Sequence, residues 1–199
     1  MAFGARCSLH DLARAADVSI PTVNHYFGGR SGAIAAALRA TPDEARVHIA
    51  SVADPQDMDL KRSLATLANT LARAWVTFGV GKVFTAGLSA GLDDTVSGPG
   101  YLEGVLEPTV LAMEERLRVH ARRGEVDLDP EDELAVRTAA LAFLSPLLLA
   151  LIHQNELAGR TCRPLDVPAF LEAHVDRFRR AYEPIRTRSR GSAGRRSPA

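Results

Sequence analysis

The chain has 199 residues, of which 46% are apolar and 24% charged, and its formal net charge is zero. This length and composition predict one large domain, or a small domain joined to a larger one, with a sizeable core. No signal peptide is predicted, because no apolar run lies beside basic residues at the N-terminus. The two cysteines, Cys7 and Cys162, suit a reducing cytoplasm and offer no metal-binding spacing.

The first predicted elements are two short helices. Ser8 and Asp11 have the spacing of a capping box, which predicts a helix from Leu9 to Ala16. The chain then turns at Asp17, and Ser19 is placed to cap a second helix that has Pro21 in its first turn. Two short helices joined by a tight turn are typical of a helix-turn-helix, although a helical hairpin without a ligand has the same spacing.

Hydrogen-bonding side chains on the second helix favour the nucleic-acid interpretation over the plain hairpin. The segment offers hydroxyl, amide, imidazole and guanidinium groups, which suit phosphates and base edges. They belong to Thr22, Asn24, His25, Tyr26 and Arg30.

The middle of the chain has helical periodicity throughout. A helix beginning at Ile34 can continue through Val47 and Val52 if Pro42 only bends it, and a long amphipathic helix is predicted from Leu60 to Phe78. Glycines follow at 79, 81, 87 and 91, and the Ser-Gly-Pro-Gly sequence at 97–100 predicts a loop. An apolar stripe over 102–117 predicts the next helix, ending near Gly124.

Two helices and a basic tail complete the prediction. Asp129 and Pro130 form a favourable helix start, and the run over 139–152 is too short and too interrupted, by Pro146, to predict a membrane span. A last helix follows Asp166. Residues 185–199 contain five arginines and no acid, which predicts a disordered basic tail, whereas 41–184 carries a net charge of −7. The predicted fold is all-α, with a head at 1–40, a helical body at 41–184 and the tail.

The stretch SLHDLARAADVSIPTVNHYFGGRSGAI resembles the DNA-binding segment of the TetR family of bacterial transcriptional regulators. The resemblance rests on Ser8, on Ala-Asp-Val-Ser at 16–19, on His-Tyr-Phe at 25–27, on Gly28 and on Arg30. It covers about 27 residues, and beyond Leu38 only the architecture is similar. It implies a cytoplasmic homodimer that binds a near-palindromic double-stranded operator as a repressor and is released by a small-molecule effector, with no cofactor and no enzymatic activity.

The segment departs from the family pattern in four places. Asp17 stands where glycine is usual, Asn24 where an aromatic residue is common, and Arg30 where lysine is usual. Asp tolerates a left-handed turn better than most residues, so the turn is expected to survive. The helix that family members place before this motif has no counterpart in the seven residues before Ser8, from which we expect either an upstream start or a weakly stable head.

The resemblance also implies roles for individual residues. Those expected in or beside the major groove are Ile20, Pro21, Thr22, His25 and Tyr26, and Ser19 is also expected to bind DNA. Ser8, Tyr26 and Arg30 are expected to position the DNA backbone. The last two helices, around 139–152 and 170–182, are expected to form a four-helix dimer interface, although the same stripes suit a monomer core.

A ligand pocket is expected among large apolar residues of the middle helices, where glycines leave room. The residues concerned are Trp75, Phe78, Phe84 and Met113. Side chains at this helical spacing can equally be ordinary core.

Two other functions stay open. One is an effector-binding or interaction protein that has lost DNA binding. The other is a helical-bundle metalloenzyme, for which the groupings are His153 with Glu156, and Glu114 and Glu115 near His120. A di-iron bundle needs two Glu-x-x-His pairs and further carboxylates, and this set is incomplete.

Overall fold

The computed structural model describes residues 8–40 and 52–184, and all the regular structure in these ranges is helical, as predicted. The N-terminal head contains α1 (Leu9–Ala15), α2 (Ile20–Phe27) and α3 (Arg30–Arg39). The third helix thus begins before Ile34 and ends by Arg39. Its predicted continuation through Val47, and the predicted disordered tail, lie outside the described residues.

The body consists of longer helices. The first is α4 (Leu60–Thr77), which turns at Gly79 into α5 (Val80–Asp93). A second continuous helical stretch begins as α6 (Ser97–Tyr101), passes through a π-helical turn at Leu102–Leu106 and continues as α7 (Glu107–Arg122). The remaining elements are α8 (Glu133–Asn155), the short α9 (Gly159–Cys162) and α10 (Val167–Ala181).

The predicted loop at Ser97–Gly100 is wrong, because these residues form α6. Asp94 supports the start of this helix, whose N-cap residue is Val96: its carboxylate accepts hydrogen bonds from the amides of Val96 (2.9 Å) and Ser97 (2.7 Å). Proline is tolerated in a first turn, where its missing N–H has no intrahelical partner to lose. These bonds lower the pKa of Asp94, the amide of Ser97 contributing most. Hydrogen bonds from the first amides of this segment to Asp94 therefore stabilise a helix where the composition is typical of a turn.

The predicted start of α8 is displaced by one turn. Its N-cap is Asp132, whose carboxylate accepts from the amide of Ala135 at 3.0 Å, rather than Asp129. Asp129 instead accepts from the amide of Glu131 at 3.0 Å and shapes the turn before the helix.

A single core joins α4, α7, α8 and α10. Its centre contains side chains with no accessible surface, namely Leu64, Met113, Leu117, Phe143 and Leu147. His174 of α10 stacks on Phe143 at 5.1 Å and donates from Nε2 to its carbonyl at 2.8 Å. The apolar stripes predicted on α8 and α10 are therefore largely part of the monomer core, which is one of the two interpretations that the sequence left open.

Pro146 lies within α8, which continues to Asn155. This helix is, among the described residues, the one long and apolar enough to cross a bilayer, and 44% of its most apolar window is buried within the fold. Core helices of soluble proteins have the same length and composition, so this property alone does not indicate a membrane span.

The head is held against the body through glycines. A Cβ atom added at Gly104 would lie 1.9 Å from the carbonyl oxygen of Leu38, and one added at Gly100 would lie 2.9 Å from Ala35 Cα. The backbone of α3 therefore contacts the backbone of α6 and the π-helical turn directly. Nearby, Arg39 Nε pairs with Glu103 Oε2 at 2.6 Å. We call this contact of Ala35, Leu38 and Arg39 with Gly100, Glu103 and Gly104 the head–body joint.

Candidate nucleic-acid interface

The helix α1 begins as the capping box that the sequence predicts. The amide of Asp11 donates to Ser8 Oγ at 3.1 Å, and Asp11 Oδ2 accepts from both the amide (3.1 Å) and the hydroxyl (2.6 Å) of Ser8. The hydrogen bond from the Ser8 hydroxyl is the main cause that lowers the pKa of Asp11, and the bond from the Ser8 amide is the second. The Ser8 hydroxyl is therefore engaged in capping α1.

The turn between α1 and α2 adopts the left-handed conformation that its sequence was expected to tolerate. Asp17 has φ +54°, in the region where glycine is usual. Ser19 then caps α2, because its Oγ accepts from the amide of Thr22 at 3.2 Å and lies 2.7 Å from the Thr22 hydroxyl. Gly28, with φ +69°, ends the helix. The two short helices and the turn are thus built by local side-chain capping.

One side of α2 faces the head and the other faces solvent. Val23 is 4% exposed and anchors the inner side. With 100° between successive residues, Pro21 and His25 lie opposite Val23, and Thr22 lies beside them. Tyr26 is at the edge of this outer face, with 73% of its surface exposed, and its ring meets that of His25 edge-on at 5.1 Å.

The remaining predicted contact residues lie at the margins of this outer face. Ile20 is 38% exposed in the first turn of α2. Arg30 is partly buried and begins α3. Among the other arginines of the described head, Arg14 pairs with Asp11 at 2.8 Å and Arg39 pairs with Glu103 of the body. The structure thus brings the exposed residues Pro21, His25 and Tyr26 and the half-buried Thr22 together on one side of α2.

The four residues predicted to bind a ligand do not form one group. Trp75 is 4% exposed, its ring lies 5.2 Å from that of Phe84, and its Nε1 donates to Glu156 Oε1 at 3.2 Å. Phe78 is 68% exposed at the end of α4, and Met113 is fully buried in the core. Of the set, Trp75 and Phe84 are neighbours.

A buried polar cluster joins α4 to α7, and sequence reasoning did not identify its partners. His120 was grouped with Glu114 and Glu115, but its Nδ1 lies 2.8 Å from Glu125 Oε2 and its Nε2 lies 2.9 Å from Ser63 Oγ. Arg116 donates to the same Ser63 oxygen at 2.5 Å. Because the Glu125 carboxylate can only accept, His120 carries a proton on Nδ1, and in the neutral ring Nε2 accepts from the Ser63 hydroxyl.

This cluster has the connectivity of a serine–histidine–carboxylate triad without access for a substrate. Ser63 and His120 have no exposed surface, and burial lowers the pKa of His120 despite the opposing hydrogen bond of Glu125. Arg116 also donates to the carbonyls of Val52 (2.5 Å) and Asp54 (2.9 Å). These bonds hold the start of the body against α4 and α7. Hydrolysis would require a nucleophile that a substrate can reach, and Ser63 is not accessible.

Within residues 8–40 and 52–184, no group of three or more histidine, cysteine, aspartate or glutamate side chains is placed to hold a metal ion. Comparison of the chain with models of protein families, with curated proteins and with solved structures finds no match. The functional argument therefore rests on the geometry of the chain itself.

Proposed function

We propose that the chain is a DNA-binding transcriptional regulator, a repressor whose α2 enters the major groove of double-stranded DNA. The observation that carries this proposal is the outer face of α2. It is solvent-exposed, free of carboxylates, and presents a hydroxyl, an imidazole and a phenol on a helix with a defined start and end. Such groups bond phosphates and base edges, and α2 is short enough to present its whole outer face to one groove.

The roles within this face follow from position. Pro21 and Ile20 supply apolar contacts for thymine methyl groups, while Thr22 and His25 supply donors to base edges or phosphates. Tyr26, at the margin, and Arg30, at the start of α3, suit the sugar–phosphate backbone. The joint at Gly100 and Gly104 supports α3, so the body determines where the face points.

Arg30→Ala tests the backbone role. We expect weaker binding to every duplex sequence and a shallower dependence of the affinity on salt, by about one unit of slope in a log–log plot, measured by fluorescence anisotropy. The matched control is Arg177→Ala, which removes the same charge from an exposed arginine on α10. Equal effects of the two substitutions would show that α2 and its surroundings are not the DNA-binding surface.

A second copy of the chain is the proposed partner, bound through α8. The side of this helix opposite the core exposes apolar residues at helical spacing, with Leu134 76%, Leu141 38% and Leu149 66% exposed. Thr138, Ala142 and Ser145 lie between them and are also exposed. Such a stripe is more apolar than a solvated helix face requires, and pairing two copies would bury it.

Sedimentation at micromolar concentration tests the dimer. We expect a dimer for the native chain and a monomer for Leu149→Arg, while Leu157→Arg, at a residue that is 65% exposed beyond the end of α8, leaves the mass unchanged. A monomeric native chain, or a dimer that survives Leu149→Arg, would contradict the proposed interface. A dimer would present two copies of α2 to a near-palindromic operator, and a small effector bound in the body would release it.

A further inference from the structure

We propose that Tyr101 is the hydrogen-bonding anchor of a small ligand, a neutral aromatic molecule bearing a carbonyl group, bound beside Phe84 and Trp75. This inference rests on the proposed effector-regulated function and adds the chemistry of the effector site. Tyr101 was not among the residues that the sequence singled out, because it lies in a stretch whose composition predicted a loop.

The first observation is an unsatisfied hydroxyl. Tyr101 is 4% exposed, and its Oη has no hydrogen-bond partner among the described residues. Buried tyrosine hydroxyls almost always have a partner, because leaving one without a bond costs the full loss of its hydration. Burial also raises the pKa of Tyr101, so the group remains protonated and offers a donor. A ligand with an acceptor would satisfy it.

The second observation is the aromatic surroundings. The Tyr101 ring meets Phe84 edge-on at 5.6 Å, and Phe84 in turn packs against Trp75 at 5.2 Å. The Trp75 donor is already bonded to Glu156, so the donor left within this cluster is that of Tyr101. Phe84 is only partly buried, so the aromatic cluster reaches the surface of the protein.

The chemistry of the ligand follows from these neighbours. Aromatic walls favour a planar apolar molecule, and a hydroxyl donor selects for an acceptor such as a carbonyl oxygen. The charged group bonded within the cluster is the Glu156 carboxylate, which disfavours an anionic ligand. A neutral aromatic ketone or aldehyde combines the required features.

The third observation is the place of Tyr101 next to the head. A Cβ atom at Gly87 would lie 2.6 Å from the Tyr101 ring and 3.1 Å from Leu38 of α3. The lack of a side chain at Gly87 therefore leaves room for both residues. Gly100, which precedes Tyr101, contacts Ala35 of α3. The π-helical turn that follows Tyr101 is a type of distortion often found at functional sites. A displacement of Tyr101 by a ligand would therefore act on the joint that supports α2.

The experiment uses the full chain with acetophenone as the probe and ethylbenzene, which lacks the carbonyl, as its control. Binding is measured by calorimetry, and the emission of Trp75, the single tryptophan, reports the local environment. We expect acetophenone to bind more tightly than ethylbenzene. Tyr101→Phe should weaken acetophenone by about three- to tenfold, the range for one net hydrogen bond, and leave ethylbenzene unchanged.

A second measurement separates an anchor from a structural hydroxyl. Without ligand, Tyr101→Phe should leave the urea midpoint of unfolding unchanged or raise it, because the lost hydroxyl has no partner. A lowered midpoint, equal affinity of the variant and native chains for acetophenone, or no binding of acetophenone by the native chain would each overturn the proposal. These outcomes are separate from those of the DNA-binding experiments. If acetophenone binding depends on Tyr101 but the chain binds no operator, the proposed regulator function is refuted. If the chain binds an operator but acetophenone binding does not depend on Tyr101, the proposed role of Tyr101 is refuted.

Discussion

Gly104→Ala is expected to break the head–body joint. The new Cβ atom would lie 1.9 Å from the Leu38 carbonyl oxygen and 2.9 Å from Arg39 Cα, and both neighbours are backbone atoms that cannot rotate away. An ordinary contact of about 3.4 Å requires α3 to move by about 1.5 Å. Overpacking of this kind costs typically about 1–3 kcal/mol, and here it outweighs the roughly 1 kcal/mol that alanine gains over glycine in a helix.

The matched control is Gly98→Ala, the same substitution in the same helical stretch. Its nearest neighbour would be the carbonyl oxygen of Gly91 at 3.2 Å, so a shift of a few tenths of an ångström suffices. We expect Gly98→Ala to be neutral or slightly stabilising and Gly104→Ala to be destabilised, in urea unfolding of the full chain. Hydrogen exchange should show lost amide protection in α3 with α8 unaffected.

Equal stability of the two variants, with unchanged protection in α3, would refute the close backbone contact. Loss of protection in α8 as well would show that Gly104 supports the core rather than the joint.

Three further predictions concern the head, the joint and the buried cluster. Ser19→Ala should lower the free energy of unfolding by about 1 kcal/mol, the usual loss for an N-cap, and Ser19→Asp should retain most of it. Arg39→Ala should change stability by less than about 1 kcal/mol, because its ion pair with Glu103 is exposed to solvent. Stability should fall as the pH drops below about 6.5, the ordinary pKa of histidine, because burial lowers the pKa of His120 and only the unfolded chain then takes up that proton. The slope from this group is at most about 1.4 kcal/mol per pH unit, and His120→Gln should remove it.

Urea unfolding between neutral and mildly acidic pH checks all three. An unchanged unfolding midpoint for Ser19→Ala would contradict the capping role of Ser19. If Arg39→Ala lowers the stability as much as Gly104→Ala does, the head–body joint is stabilised by the ion pair rather than by close backbone packing. For His120, the difference between the native chain and His120→Gln is the decisive quantity, because the other histidines titrate in both. A difference that does not vary with pH would contradict a buried neutral imidazole.

The features that could be predicted from the sequence are those set by neighbours in the chain. Ser8 and Asp11, and Ser19 and Thr22, bond across three residues, so their spacing alone indicated the caps. The left-handed turn at Asp17 was expected from the resemblance, because Asp17 stands where glycine is usual and Asp tolerates this conformation. The periodicity of Leu60–Thr77 likewise indicated a buried helix face, because burial of one face follows directly from residue spacing.

The features that could not be predicted depend on residues distant in the chain. Ser63 and His120 are 57 positions apart, and neither shows in its own neighbourhood that it will meet the other. The helix at Ser97–Tyr101 has the composition of a loop, and its Gly100 instead allows α3 to approach. For the same reason Tyr101 and Phe84, on different helices, could not be grouped before the fold was known.

The most direct test of the central claim is selection of bound sequences from a pool of random DNA duplexes by the purified chain. The proposed function predicts enrichment of an inverted repeat whose half-sites have centres about one helical turn apart, and loss of that enrichment for Thr22→Ala combined with His25→Ala. Failure to enrich any sequence at low salt, or an enriched site that the double variant still selects, would contradict a DNA-reading role for α2.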